Sequence, residues 1–203
     1  MSRIAIDVAL LPEERITRLA IATNRRLLGA QAGEIVLDEA TCLPHISLAM
    51  GCIEAGRIDA IGTAMADVAR DCPIGELTLT GIVTVLNARN EPNSLFAIAK
   101  TGALQTLHER IMEAMEPFVS REVTAEMIRG DEEPAQSTLA WIRNYRDKAA
   151  FAAFFPHITI GYGTVAEPMT FPIRFRTPQL ALCHLGNHCT CREVLASTPT
   201  ARQ

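Results

Sequence analysis

Two short stretches of the chain closely resemble one another. The first is "LPHISLAMG", residues 43–51, and the second is "FPHITIGYG", residues 155–163. Proline, histidine, isoleucine and the final glycine coincide, and a serine in the first stretch corresponds to a threonine in the second. Each stretch therefore offers one imidazole, His45 or His157, followed two positions later by a hydroxyl.

The spacing of these side chains predicts that each pair lies on one face of a strand. Residues two apart in a β-strand point to the same side, so His45 and Ser47 would share a face. His157 and Thr159 would share a face in the same way. The residues between and after them are apolar, which indicates a hydrophobic underside for both strands. If the two strands lie side by side, two imidazoles and two hydroxyls converge on one cleft.

Such a set of groups suits the cleavage of a phosphodiester. One imidazole can start neutral and take a proton from water, while the other starts protonated and gives its proton to the leaving oxygen. Two hydroxyl donors can hold the non-bridging phosphate oxygens and stabilise the charge that develops on them. This arrangement requires no metal. A single histidine in a strand is usually only a half-buried polar residue, and the repetition of the spacing favours the catalytic interpretation.

The elements that would position the two motifs follow from hydrophobic periodicity. Alternating apolar residues predict an opening strand, and Pro12 followed by two glutamates predicts the start of a helix. Residues 76–86 and 94–100 are predicted to form a strand pair. The predicted order is strand, helix, strand, helix, two strands, helix, helix and closing strands. This order indicates an α+β chain, in which both motifs begin strands.

The stretch 118–154 shows no strand pattern and is predicted to contain a helix with Ser137 near its N-cap. Trp141 and Tyr145 are four apart and would share a face of that helix, which favours core packing over stacking on a nucleobase. The stretch would be a helical insertion that either caps the groove or packs against the core.

The paired motifs resemble the signature of the 2H phosphoesterase superfamily, which includes the RNA 2′,3′-cyclic phosphodiesterases once named 2′-5′ RNA ligases. That signature is a histidine, any residue, a serine or threonine and a hydrophobic residue, occurring twice. Here it corresponds to "HISL" from His45 and "HITI" from His157. The resemblance covers most of the chain.

The resemblance implies a two-lobed, pseudo-symmetric α+β fold with antiparallel sheets flanked by helices and an active-site groove between the lobes. The chain, residues 1–203, would form one such bilobal domain. The resemblance further implies metal-independent hydrolysis of a 2′,3′-cyclic phosphate to a 2′-phosphate by two catalytic histidines. His157 would be the base that activates water and His45 the acid. Ser47 and Thr159 would bind the phosphate, and Tyr162, next to the second motif, would line the groove.

A second cluster of reactive side chains lies in "CHLGNHCTC", which holds His184, His188, Cys189 and Cys191. The density of soft ligands suggests zinc. A tight turn at residues 186–187 would send neighbouring side chains to opposite faces, and a Cys-x-Cys pair without a second pair is poor zinc spacing. No metal and no cofactor are therefore predicted.

Composition limits the partners. The 203 residues carry a formal charge of −4, and 48% of them are hydrophobic. This balance argues against long nucleic acid and favours a nucleoside 2′,3′-cyclic phosphate or the end of an RNA or oligonucleotide. No apolar run long enough for a membrane span and no secretory signal are expected, so a cytoplasmic monomer with reduced cysteines is predicted. Two alternatives stay open: a 2′,5′-phosphodiesterase or ligase, and a non-hydrolytic nucleotide-binding module.

Overall fold

The structure is a computed structural model that describes residues 2–29, 34–87 and 89–200. Eight strands and four α-helices lie within these residues. In chain order they are β1 (Arg3–Leu11), α1 (Glu14–Leu28), β2 (Ile46–Glu54), α2 (Ile58–Asp71), β3 (Leu77–Leu86), β4 (Pro92–Ile98), α3 (Gly102–Met115), α4 (Gln136–Ala149), β5 (His157–Tyr162), β6 (Ile173–Phe175), β7 (Gln179–Leu185) and β8 (Cys191–Pro199).

The strands form two four-stranded sheets. The first has the order β2-β1-β7-β8 and the second the order β5-β4-β3-β6, and every neighbouring pair is antiparallel. The predicted α+β class with two lobes and antiparallel sheets is confirmed. The predicted opening strand, the helix that follows Pro12 and the strand pair in the middle of the chain are all present. No helix in the described ranges is both long and apolar enough to cross a membrane.

Each motif strand lies at the edge of its sheet. Among the strands of the described residues, β2 has β1 as its one neighbour, and β5 has β4. Both pairs contain an irregularity at the same place in the motif. Leu48 is the extra residue where the register with β1 shifts, and Ile160 is the extra residue where the register with β4 shifts. Each of them directly follows the motif's hydroxyl residue, so both strands carry a bulge at one corresponding position. Bulges re-aim side chains and are frequent beside active sites.

The predicted hydrophobic underside of both motif strands is present. Ile46 and Leu48 of β2 are fully buried, as are Ile158 and Ile160 of β5. All four belong to one core cluster that joins the two sheets. Burial of the alternate residues holds each strand in register, because a shift by one residue would expose them.

Asn24 of α1 satisfies the free carbonyl of the second bulge. Its Nδ2 donates to the Ile160 carbonyl at 2.7 Å and to the Ile35 carbonyl at 2.9 Å. Its Oδ1 accepts from the Leu37 N–H at 3.0 Å. The side chain is fully buried, and Gly161, at φ +146°, leaves no space for a Cβ beside it. Asn24 therefore ties α1, the segment before the first motif and the second motif strand together.

His108 of α3 satisfies the free carbonyl of the first bulge. Its Nδ1 donates to the Leu48 carbonyl at 2.9 Å, and its Nε2 accepts from the Phe151 N–H at 2.7 Å. Its ring stacks on Phe154 with a centroid separation of 4.0 Å. Burial lowers the pKa of His108 to about 4, which keeps the ring neutral and matches its two hydrogen bonds.

The stretch 118–154 packs against the first sheet. Ser120 exchanges two backbone hydrogen bonds with Cys52 of β2, and α4 contacts β2. Tyr145 is buried, whereas Trp141 is 42% exposed. Ser137 lies two residues after Ala135, the N-cap residue of α4, whose side chain makes no capping hydrogen bond. That this stretch is an insertion into a single domain stays a prediction.

We expect the Asn24→Ala variant to lose about 2–4 kcal/mol of unfolding free energy, because it leaves two carbonyls and one N–H buried without partners. Urea unfolding measures the loss. Asn144→Ala is the matched control, since within the described part of the chain the side chain of Asn144 makes one hydrogen bond, to the Ala140 carbonyl of its own helix. Equal losses in the two variants would contradict the linking role of Asn24.

Candidate active site

The two motif histidines are held by the same hydrogen bond. His45 Nδ1 lies 2.7 Å from the carbonyl of Leu43, and His157 Nδ1 lies 2.8 Å from the carbonyl of Phe155. A carbonyl can only accept, so Nδ1 carries the proton in both rings. Each Nε2 consequently holds the lone pair. Both imidazoles are thus fixed in one tautomer by the residue two positions earlier, with Nε2 as the atom that can exchange protons.

One cavity is lined by a residue from each of the two motifs. His45, from the segment just before β2, and Thr159, from β5, both line it. His188, from the connection between β7 and β8, lines it as well. Of the five predicted site residues, Ser47, His157 and Tyr162 do not contribute to this lining, although each lies in a described part of the chain.

The electrostatics of the cavity favour neutral imidazoles. Burial lowers the pKa of His45 to about 4, the hydrogen bond to Leu43 opposes this change, and a positive charge on His157 would lower it further. That interaction indicates that the two rings lie close enough to influence one another. Burial also lowers the pKa of His157. An anionic phosphate in the cavity would raise the pKa of both rings, because it stabilises the imidazolium form.

Asp7 is a member of the site that the motif spacing does not reveal. Ser47 Oγ donates to Asp7 Oδ2 at 2.6 Å, and His45 Nε2 lies 3.5 Å from the same oxygen. Asp7 is fully buried, and burial raises its pKa well above the usual value. When protonated, Asp7 can donate to Ser47 Oγ, which frees the serine hydrogen for a phosphate oxygen. The available signal was an acid inside the apolar strand "IAIDVALL".

His188 is a second member that was not predicted. Its Nδ1 shares a 3.0 Å hydrogen bond with the hydroxyl of Tyr162, and its Nε2 lies 3.4 Å from Glu34. The residue adopts φ +58°, and its N–H donates to Thr138 Oγ1 at 2.9 Å. This left-handed backbone conformation is uncommon for residues other than glycine, and with it the ring lines the cavity. Tyr162 thus bonds to a cavity residue.

Among the described residues, the four potential zinc ligands of "CHLGNHCTC" are not grouped around one point. His184 Nε2 donates to the Met127 carbonyl at 3.0 Å. His188 faces Tyr162, and the fully buried Cys191 lies near Asp7 and His45. The predicted tight turn is instead a short 3-10 segment at Asn187–Cys189.

Comparisons with known proteins place the chain as follows. No protein-family model matches it, and no curated protein matches it significantly. Among solved structures, it is similar to the crystal structure of E. coli LigT in the apo form. The superposition has a TM-score of 0.49 with 16% sequence identity and covers 98% of each chain.

We expect Ser47→Ala to cost about 1–3 kcal/mol of unfolding free energy, because it removes the hydrogen bond between Ser47 Oγ and the buried Asp7 carboxyl. Thr159→Val keeps the side-chain shape, and its hydroxyl lies at the cavity wall, so we expect little change. Thermal unfolding of both variants provides the measurement. A larger loss in Thr159→Val than in Ser47→Ala would contradict the assigned hydrogen bond.

Proposed function

We propose that the protein is a phosphodiesterase that hydrolyses a 2′,3′-cyclic phosphate, on a nucleotide or an RNA end, to a 2′-phosphate. His45 and His157 would be its catalytic acid and base. The observation that carries this proposal is the matching pair of hydrogen bonds from Nδ1 to the carbonyl two residues earlier. The proposed mechanism needs Nε2 of each imidazole for proton transfer, and the hydrogen bond that each Nδ1 makes supports this use of Nε2.

The reaction requires two proton transfers on opposite sides of phosphorus. The base takes a proton from water as the new P–O bond forms, and the acid gives its proton to O3′ as the P–O3′ bond breaks. We assign His157 as the base and His45 as the acid. His45 then gains its proton as the anionic phosphate binds, which the hydrogen bond to Leu43 favours. These steps use no metal ion.

Three further side chains would bind the substrate. Thr159 lines the cavity and would donate to a non-bridging oxygen, where negative charge increases in the transition state. Ser47 would donate to the other oxygen once Asp7 is protonated. Tyr162 would contact the nucleoside, held by its hydrogen bond to His188. The acidic net charge favours a small nucleotide or a strand end over long RNA.

The central experiment measures hydrolysis of the four nucleoside 2′,3′-cyclic monophosphates in EDTA, with product isomers identified by phosphorus NMR. We expect wild-type turnover to the 2′-phosphate. His45→Ala and His157→Ala should each lower kcat/KM by about 100- to 10,000-fold, because each removes one proton transfer.

The same variants distinguish the acid from the base. Bis(p-nitrophenyl) phosphate has a leaving group that departs without a proton, so His45→Ala should retain more of its activity on this ester than His157→Ala does. The reverse order would exchange the two roles. Nucleotide binding without turnover would instead favour a binding module, and turnover restricted to 2′,5′-linked oligonucleotides would change the substrate.

The pKa shifts predict an acidic optimum. The acid must be protonated and the base neutral, and both imidazoles in the free enzyme have a lowered pKa, about 4 for His45. The protonated acid therefore disappears as pH rises above its lowered pKa. We expect a bell-shaped kcat/KM profile with its maximum below about pH 6.5 and a decline toward neutral pH. A maximum above neutral pH would contradict this assignment.

A further inference from the structure

Three potential metal ligands, one of them His45, come from distant parts of the chain and lie close together. A carboxylate oxygen of Asp7, an imidazole nitrogen of His45 and Sγ of Cys191 are all within 4.8 Å of one another. Asp7 belongs to β1, His45 precedes β2, and Cys191 begins β8. The group therefore forms only when the first sheet is assembled.

The geometry suits a tetrahedral ion. Ligand atoms around tetrahedral Zn²⁺ are about 3.3–3.8 Å apart, given Zn–N, Zn–O and Zn–S bonds of about 2.0–2.3 Å. The separation of 3.5 Å between His45 Nε2 and Asp7 Oδ2 already falls in that range. No two of the three ligand atoms are more than 4.8 Å apart, so a pair at that limit would have to approach by about 1 Å to bind one ion.

The imidazole is already oriented as a ligand. The hydrogen bond from Nδ1 to the Leu43 carbonyl fixes the tautomer and leaves the Nε2 lone pair free. Metal-binding histidines commonly donate their other N–H to a carbonyl in this way. Ser47 donates to Asp7 and orients the carboxylate similarly.

A bound cation would compensate for the burial of the other two ligands, Asp7 and Cys191. Asp7 and Cys191 are both fully buried, and within the described part of the chain Asp7 Oδ1 has no donor at full hydrogen-bond geometry. A cation would compensate the negative charge of a buried carboxylate and a buried thiolate.

We propose that Asp7, His45 and Cys191 bind a divalent cation of the zinc type and that this binding inhibits the enzyme. A thiolate, an imidazole and a carboxylate together select Zn²⁺ over Mg²⁺ or Ca²⁺. On binding, the Cys191 thiol and a protonated Asp7 release their protons to solvent, and Nε2, Sγ and a carboxylate oxygen form bonds to the ion. A fourth position stays open for water. Inhibition rests on the proposed function, because the ion would occupy the Nε2 that His45 needs as an acid.

Binding is tested without reference to activity by titrating the reduced, full-length protein with Co²⁺. We expect one equivalent to produce a sulfur-to-cobalt charge-transfer band and the intense visible bands of tetrahedral cobalt, both removed by Zn²⁺. Cys191→Ser should abolish the charge-transfer band. Asp7→Asn keeps the thiol and should weaken Co²⁺ binding by more than about 100-fold.

Cys189→Ser is the matched control, because Cys189 also lines the cavity but lies outside the three-residue group. Its spectrum should equal that of the wild type. Absence of the band from the wild type, or its persistence in Cys191→Ser, would overturn the site. Circular dichroism tests whether each variant is folded. If Cys191→Ser does not fold, the Co²⁺ affinity of Asp7→Asn tests the site in its place, and an affinity equal to that of the wild type would overturn it.

Inhibition is measured separately. Micromolar Zn²⁺ should slow hydrolysis of the cyclic phosphate by the wild type and by Cys189→Ser at least about 10-fold, each relative to its own rate in EDTA. Cys191→Ser should lose this sensitivity. Cobalt binding without zinc inhibition would overturn the inhibitory role. Cobalt binding by a protein that hydrolyses no phosphodiester would leave the site standing and refute the proposed function.

Discussion

The arrangement of the site depends on how the protein satisfies two backbone carbonyls. Each motif strand is a sheet edge with a bulge at the residue after the hydroxyl, and a bulge leaves a carbonyl outside the ladder. In the core, an unsatisfied carbonyl would cost about 1–3 kcal/mol. His108 donates to the Leu48 carbonyl, and Asn24 donates to the Ile160 carbonyl. Two helices thereby fix two bulges, one in each sheet.

These two hydrogen bonds also connect the sheets. His108 accepts from the Phe151 N–H, close to the start of the second motif strand, while Asn24 reaches the segment that precedes the first motif. Each buried side chain therefore contacts the surroundings of both motifs. The two imidazoles are attached to separate sheets, so such connections would keep the distance between them constant. The proposed acid–base catalysis needs this precision, because a displacement of about 1 Å would lower its rate strongly. Their rings are then oriented locally, each by the carbonyl two residues earlier.

The sequence predicted those features that depend on local pattern. Alternating and helical periodicities predicted the α+β class, which the structure confirms. The duplicated motif pointed to His45 and His157 with their hydroxyl partners, and their catalytic role stays a prediction. The features that it could not predict depend on pairing between distant strands or on unusual backbone conformation. Asp7 reaches Ser47 because β1 and β2 are neighbours, and His188 reaches the cavity through a positive φ. Asn24 and His108 occupy ordinary helical positions whose partners no sequence pattern indicates.

The same local chemistry explains why one histidine would serve as an acid and also be open to inhibition. An imidazole with its Nε2 lone pair free beside a buried carboxyl can receive a proton when an anionic phosphate arrives. These properties, a fixed tautomer and an adjacent carboxylate oxygen, are also those of a zinc ligand. The buried thiol of Cys191 would complete the proposed ligand set. His157 is not part of the group formed by Asp7, His45 and Cys191. We therefore expect no metal binding at His157, whose ring donates to the Phe155 carbonyl. Zinc sensitivity would therefore be a property of the first motif alone.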